Sequence, residues 1–121
     1  MKLSGVQAQI WQWCQNTFEG IAAWRTDKER AYRFLEEATE LFQSVGMEKT
    51  DAYAVVDYVF GRPKGEVSQE IGGTMVTLLA LASHLDLDVN DALMSEYERI
   101  ISPEVQQKIR EKQKAKNQHF L

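Results

Sequence analysis

At 121 residues the chain is long enough for one domain and too short for two. It is 44% hydrophobic and 26% charged, ordinary for a soluble globular protein, and its two prolines and seven glycines are few breaks, which favours helices over many short strands. The formal net charge is −4 but unevenly spread: residues 102–121 carry five basic side chains against two acidic ones, and the rest is strongly acidic, which argues against bulk nucleic-acid binding.

Cys14 is the single cysteine, so no internal disulfide is possible and a reducing, cytoplasmic setting is expected. Residues 1–5 open no long apolar run and show no signal-peptide pattern. The most apolar stretch, Leu78 to Ala82, is far too short to cross a bilayer and is expected in the core.

In chain order, Ser4 can cap a first helix running to about Glu19, ended by Gly20. Its Trp11 and Trp13 are two residues apart and cannot share one face, so one is expected in the core and the other against a partner subunit or a base. Thr26 or Asp27 can cap a second helix to Val45, with Gly46 just past its end. Thr50 or Asp51 starts a third, ending at Gly61, with Tyr53, Val56 and Phe60 as its buried stripe. Gly65 opens a fourth, roughly Glu66 to Leu85, and Asp88 or Asn90 begins a fifth to Ile101. Ser102-Pro103-Glu104 restarts a sixth, which carries the basic tail. No strand, repeat or low-complexity linker is evident, so residues 1–121 read as one all-α helical bundle with short connections.

The second helix carries the most chemistry. Ala31, Phe34, Leu35, Ala38, Leu41, Phe42 and Val45 form one apolar stripe, and Glu36 and Glu40 lie nearly opposite its centre, with Glu37 to one side. Three carboxylates at i, i+3 and i+4 spacing repel one another unless a cation sits among them. A hard divalent ion suits such oxygen ligands, and a solvated acidic face relieved by Arg33 is the plain alternative. On the fourth helix, Glu66, Glu70, Gly73 and Thr77 share one side, beside an apolar face of Val67, Ile71, Met75, Leu78 and Ala82. If the second and fourth helices pack antiparallel, four or five carboxylates converge, an arrangement costly without metal and suited to Mg²⁺ and phosphates.

Glu36-Glu37-Ala38-Thr39-Glu40 resembles the E-E-x-x-E motif of the MazG-like all-α nucleotide pyrophosphohydrolases. Glu70-Ile71-Gly72-Gly73, running into Thr74-Met75-Val76-Thr77-Leu78-Leu79, resembles that family's E-x-x-D motif and its apolar continuation. The likeness covers about residues 26–101, and more weakly the basic stretch from Lys108 to Gln113. It departs at Gly73, where the family pattern has Asp; Glu66, one turn before Glu70, is the substitute ligand.

The resemblance implies Mg²⁺-dependent hydrolysis of a nucleoside triphosphate (NTP or dNTP) to the monophosphate and pyrophosphate, with Mn²⁺ as a substitute ion; short helices that expose many aromatics in a chain of this length separately point to a homo-oligomer, a dimer or tetramer. The resemblance also implies Glu37, Glu40 and Glu70 as metal ligands, and Glu36 as a ligand or the base that orients the water. Lys108, Arg110 and Lys112, and the loop residues Arg62 and Lys64, are the candidates for the phosphates. The alternative that Gly73 favours is a non-catalytic relative that binds nucleotide or a protein partner.

Other chemistries lack their residues. A di-iron bundle needs Glu-x-x-His pairs, but Leu81 precedes His84 by three and Lys116 precedes His119 by three. No Cys/His spacing suits zinc, and no phosphate-binding glycine loop is present. A helix-turn-helix at Val67 to Gly72 would give a recognition helix without a basic residue for DNA phosphates.

Overall fold

A computed structural model describes residues 2–120, with side chains described through Lys116; Leu121 and the side chain of His119 lie outside that range. The described residues form six helices and no strand: α1 (Leu3–Phe18), α2 (Asp27–Ser44), α3 (Lys49–Phe60), α4 (Val67–His84), α5 (Val89–Ile100) and α6 (Pro103–Phe120). None is long and apolar enough to cross a membrane.

Local capping chemistry sets the boundaries. Thr26 Oγ1 accepts from the Glu29 amide at 3.2 Å and fixes the start of α2, while Gly46, at φ +95°, closes its end. Two starts differ from expectation. Helix α1 begins one residue before Ser4, and its N-cap Lys2 makes no side-chain cap. Helix α3 begins at Lys49 because Glu48 and Asp51 satisfy each other's backbone amides in a capping box, which holds the chain helical a residue earlier. Asp88 Oδ1 accepts from the Asp91 amide at 2.9 Å ahead of α5, and Ser102 Oγ from the Val105 amide at 3.4 Å ahead of α6.

The backbone, expected to be one domain, divides into two compact units: one holds the residues up to Ala31 and from Leu93 onward, the other runs from Tyr32 to Ala92. In the first unit α1 packs against α6. Its buried residues are Val6, Phe18 and Ile21, joined by three polar ones, Thr17, Glu29 and Gln113. Trp13 sits edge-on to Phe18 at 5.7 Å, and its indole N–H donates to the Ile100 carbonyl at 2.9 Å. Trp11 is more exposed and lies 5.5 Å from Trp24, with the Arg25 guanidinium 5.1 Å from its ring centre. The two tryptophans thus take different surroundings, as their spacing requires.

Polar groups then stitch the ends of this unit together. Glu29 is fully buried; Gln113 donates to its carboxylate and accepts from Arg30 Nη2 at 3.1 Å. Arg30 also donates to the Trp24 carbonyl at 2.8 Å and covers the Phe18 ring at 4.9 Å. Burial pushes the Cys14 thiol above its ordinary pKa, and the Arg30 charge only partly opposes this. The thiolate is the reactive form, so alkylation of Cys14 at pH 8 is expected to be slower than that of an unstructured cysteine peptide. The rate should rise when guanidinium chloride unfolds the chain; mass spectrometry over time would follow both.

The second unit is built differently. No residue from Tyr32 to Ala92 is buried. Tyr53, Val56 and Phe60, expected as the buried stripe of α3, are exposed, Phe60 at 85%. Leu78 and Leu79, expected in the core, are exposed as well. The apolar periodicity is present on these helices, but among the described residues it is covered only in part, as at Leu41, Phe42, Met75 and Leu81.

Candidate functional site

The acidic residues singled out from the sequence all lie in the second unit, on α2 and at the start of α4. On α2, Glu36 is half-buried and pairs with Arg33 at 3.6 Å, while Glu37 and Glu40, one turn apart, are exposed. Two exposed carboxylates at that spacing suit a hard cation that keeps most of its water and needs few protein ligands.

Glu66 has a local role in the fold. It is the N-cap of α4, and its carboxylate accepts from the Ser68 amide at 3.1 Å and the Gln69 amide at 2.9 Å. Those amides have no partner within the helix, and the positive end of the helix dipole holds a carboxylate there. Glu70, one turn on, folds back over the loop. A Cβ on Gly65 would stand 3.0 Å from the Glu70 carboxyl carbon, so a side chain there would displace the flexible end of Glu70 by a few tenths of an ångström.

Around Gly73, by contrast, a Cβ would meet nothing within 4 Å, so the position where the resembled motif has Asp has room for one. Among the described residues no three His, Cys, Asp or Glu side chains come close enough to hold a metal ion together. The convergence of four or five carboxylates expected from an antiparallel α2–α4 packing is not seen among the described residues.

The basic candidates divide. Arg62 stacks over the Tyr58 ring at 4.3 Å, and Lys64 is exposed in the same loop. In the first unit, Lys108 and Lys112 are exposed on α6. Arg110 on the same helix is engaged in the fold: its Nη1 donates to the Thr17 carbonyl at 3.0 Å and to the Glu19 carbonyl at 2.6 Å. These are end carbonyls of α1, where a cation is favoured. Arg110→Met is therefore expected to destabilise the chain by about 1–2 kcal/mol, read by urea unfolding, because it strands those carbonyls. The chain matches no family model, no curated protein and no solved structure.

Proposed function

We propose that this protein is a Mg²⁺-dependent nucleoside triphosphate pyrophosphohydrolase with a MazG-like helical bundle. It converts an NTP or dNTP to the monophosphate and pyrophosphate and works as a cytoplasmic homo-oligomer. The observation that carries this reading is the exposed Glu37–Glu40 pair on α2, beside Glu36, in the same unit as the Glu70 carboxylate at the start of α4.

On the resemblance Glu37, Glu40 and Glu70 would hold the ion, with Mn²⁺ as a substitute; the described residues of one chain do not by themselves bring three such carboxylates together. When bound, it offsets phosphate charge and acidifies a coordinated water. Glu36, already beside Arg33, serves as a further ligand or as the base that orients that water. Arg62 and Lys64, in the loop before α4, would supply positive charge for the phosphates, with Lys108 and Lys112 as candidates from a neighbouring subunit and Arg110 engaged with the end of α1. Glu66, the substitute ligand the resemblance offers, already accepts the Ser68 and Gln69 amides at the start of α4.

One observation favours a second reading, a non-catalytic relative that binds nucleotide or a protein: Gly73 offers no ligand where the motif has one. An assay for pyrophosphate release across canonical and damaged NTPs and dNTPs, with Mg²⁺ or Mn²⁺, decides between the two. Metal-dependent turnover that disappears in Glu37→Gln and Glu70→Gln is the expected result. Nucleotide binding without turnover on any substrate overturns the enzymatic reading in favour of the second.

A further inference from the structure

Helix α6 is seated on polar contacts. Residues at i, i+4 and i+7 fall within about 60° of one another around a helix, in the row that an amphipathic helix ordinarily fills with apolar side chains. On α6 that row is Gln106, Arg110 and Gln113, and each of the three donates a hydrogen bond to the rest of the first unit. Gln106 Nε2 donates to Thr17 Oγ1 at 2.8 Å. Arg110 Nη1 donates to the Thr17 and Glu19 carbonyls at 3.0 and 2.6 Å, and Gln113 Nε2 to the Glu29 carboxylate. The buried apolar residues, Val6, Phe18 and Ile21, include none from α6. Among its described side chains only Gln113 is buried, with Val105 and Ile109 half-buried beside the row.

Such a seat fixes the position of the helix more than it holds it down. Water offers a glutamine amide, a guanidinium and a carbonyl the same bonds that the seat does, so the net gain from each is small. The last carbonyls of α1 have no partner in their own helix and are hydrated when Arg110 leaves. A helix lifted from an apolar seat would instead expose surface that water disfavours. Segments with few buried apolar contacts are the ones that open well below the free energy of global unfolding.

We infer that α6 is a strap, which releases from α1 in one piece more readily than the first unit unfolds, and closes again. The two states differ in what holds Arg110. Closed, its guanidinium belongs to the end of α1; open, it rejoins Lys108 and Lys112 on a free basic helix, within reach of an anion. The inference concerns the first unit alone and holds whether or not the chain is an enzyme.

Hydrogen exchange of the full chain, read amide by amide by nuclear magnetic resonance, tests it. Amides 107–116 of α6 should share one rate, about tenfold or more above that of Gln9 to Trp13 in the middle of α1. Low guanidinium chloride should speed α1 clearly and α6 hardly at all, because release exposes little apolar surface. Trp13→Phe removes the bond to the Ile100 carbonyl, which ties α1 to α5. It should speed exchange in α1 and leave α6 unchanged, since that bond survives the release. Arg110→Met should speed both about tenfold, because the closed state loses two bonds that neither the released nor the unfolded state makes. The wild-type measurement stands without either variant. One rate and one guanidinium dependence for α1 and α6 overturn the proposal, because the two helices then unfold together. So does a rate graded along α6 from its C-terminal end, which is fraying, or a Trp13→Phe effect as large on α6 as on α1.

Discussion

Replacing Glu29 by alanine is expected to destabilise the first unit by about 3 kcal/mol, among the larger costs of a single substitution. Glu29 is fully buried, so the change leaves a cavity. It also removes the acceptor of the Gln113 amide, and a buried donor without a partner costs more than the bond was worth. The loss spreads, because the other end of the Gln113 amide accepts from Arg30, which also ties down the Trp24 carbonyl. Glu29→Gln keeps the volume and an acceptor oxygen and should cost about 1 kcal/mol. In a cycle with Gln113→Ala the two losses should fall well short of additive, since they break one interaction. Trp11, Trp13 and Trp24 all lie in this unit, so fluorescence during urea unfolding reports on it. Additive losses, or a change below 1 kcal/mol for Glu29→Ala, would show that α6 is held without this contact.

The second large effect is on activity. Glu37→Gln should reduce metal-dependent pyrophosphate release by on the order of 100-fold or more, since a site that binds its ion through few carboxylates cannot spare one. Glu70→Gln should behave alike. Glu66→Gln should not: its carboxylate serves the Ser68 and Gln69 amides, so the expected loss is about 1 kcal/mol of stability with turnover largely kept. Gly73→Asp is the gain-of-function arm. There is space for the side chain, and Gly costs roughly 0.5–1 kcal/mol more than Ala inside a helix, so the chain should tolerate the change. It should lower the Mg²⁺ concentration needed for half-maximal rate. Equal losses at Glu66 and Glu37 would mean that the capping carboxylate also serves the ion. An unchanged Mg²⁺ requirement in Gly73→Asp would separate this position from the metal.

The helices were legible because their signals are local. Thr26 and Gly46 bound α2, Asp88 opens α5, and Ser102-Pro103 restarts α6 through bonds reaching only a few residues along the chain. The start of α3 was misjudged by a residue or two because Glu48 is an uncommon cap, effective here only with Asp51 answering it. The acidic row on α2 was likewise a matter of angular spacing, which any regular helix obeys.

What lay beyond the sequence depends on partners distant along the chain or outside it. The periodicity of Tyr53, Val56 and Phe60 marks an apolar face but does not say what covers it, so residues expected to be buried stand exposed. Arg110 looked like a phosphate ligand in a basic run, yet two carbonyls some ninety residues away claim it. Glu66 and Glu70 looked equivalent at one helical turn; the first became a cap, and the second folds over Gly65. Composition and spacing thus determined an all-α chain with an acidic α2 face, because helix propensity, capping and periodicity act within a turn or two. Only the tertiary structure decided which charges are spent on the fold, because a charge is claimed by whichever unsatisfied amide or carbonyl the folded backbone brings within hydrogen-bonding distance.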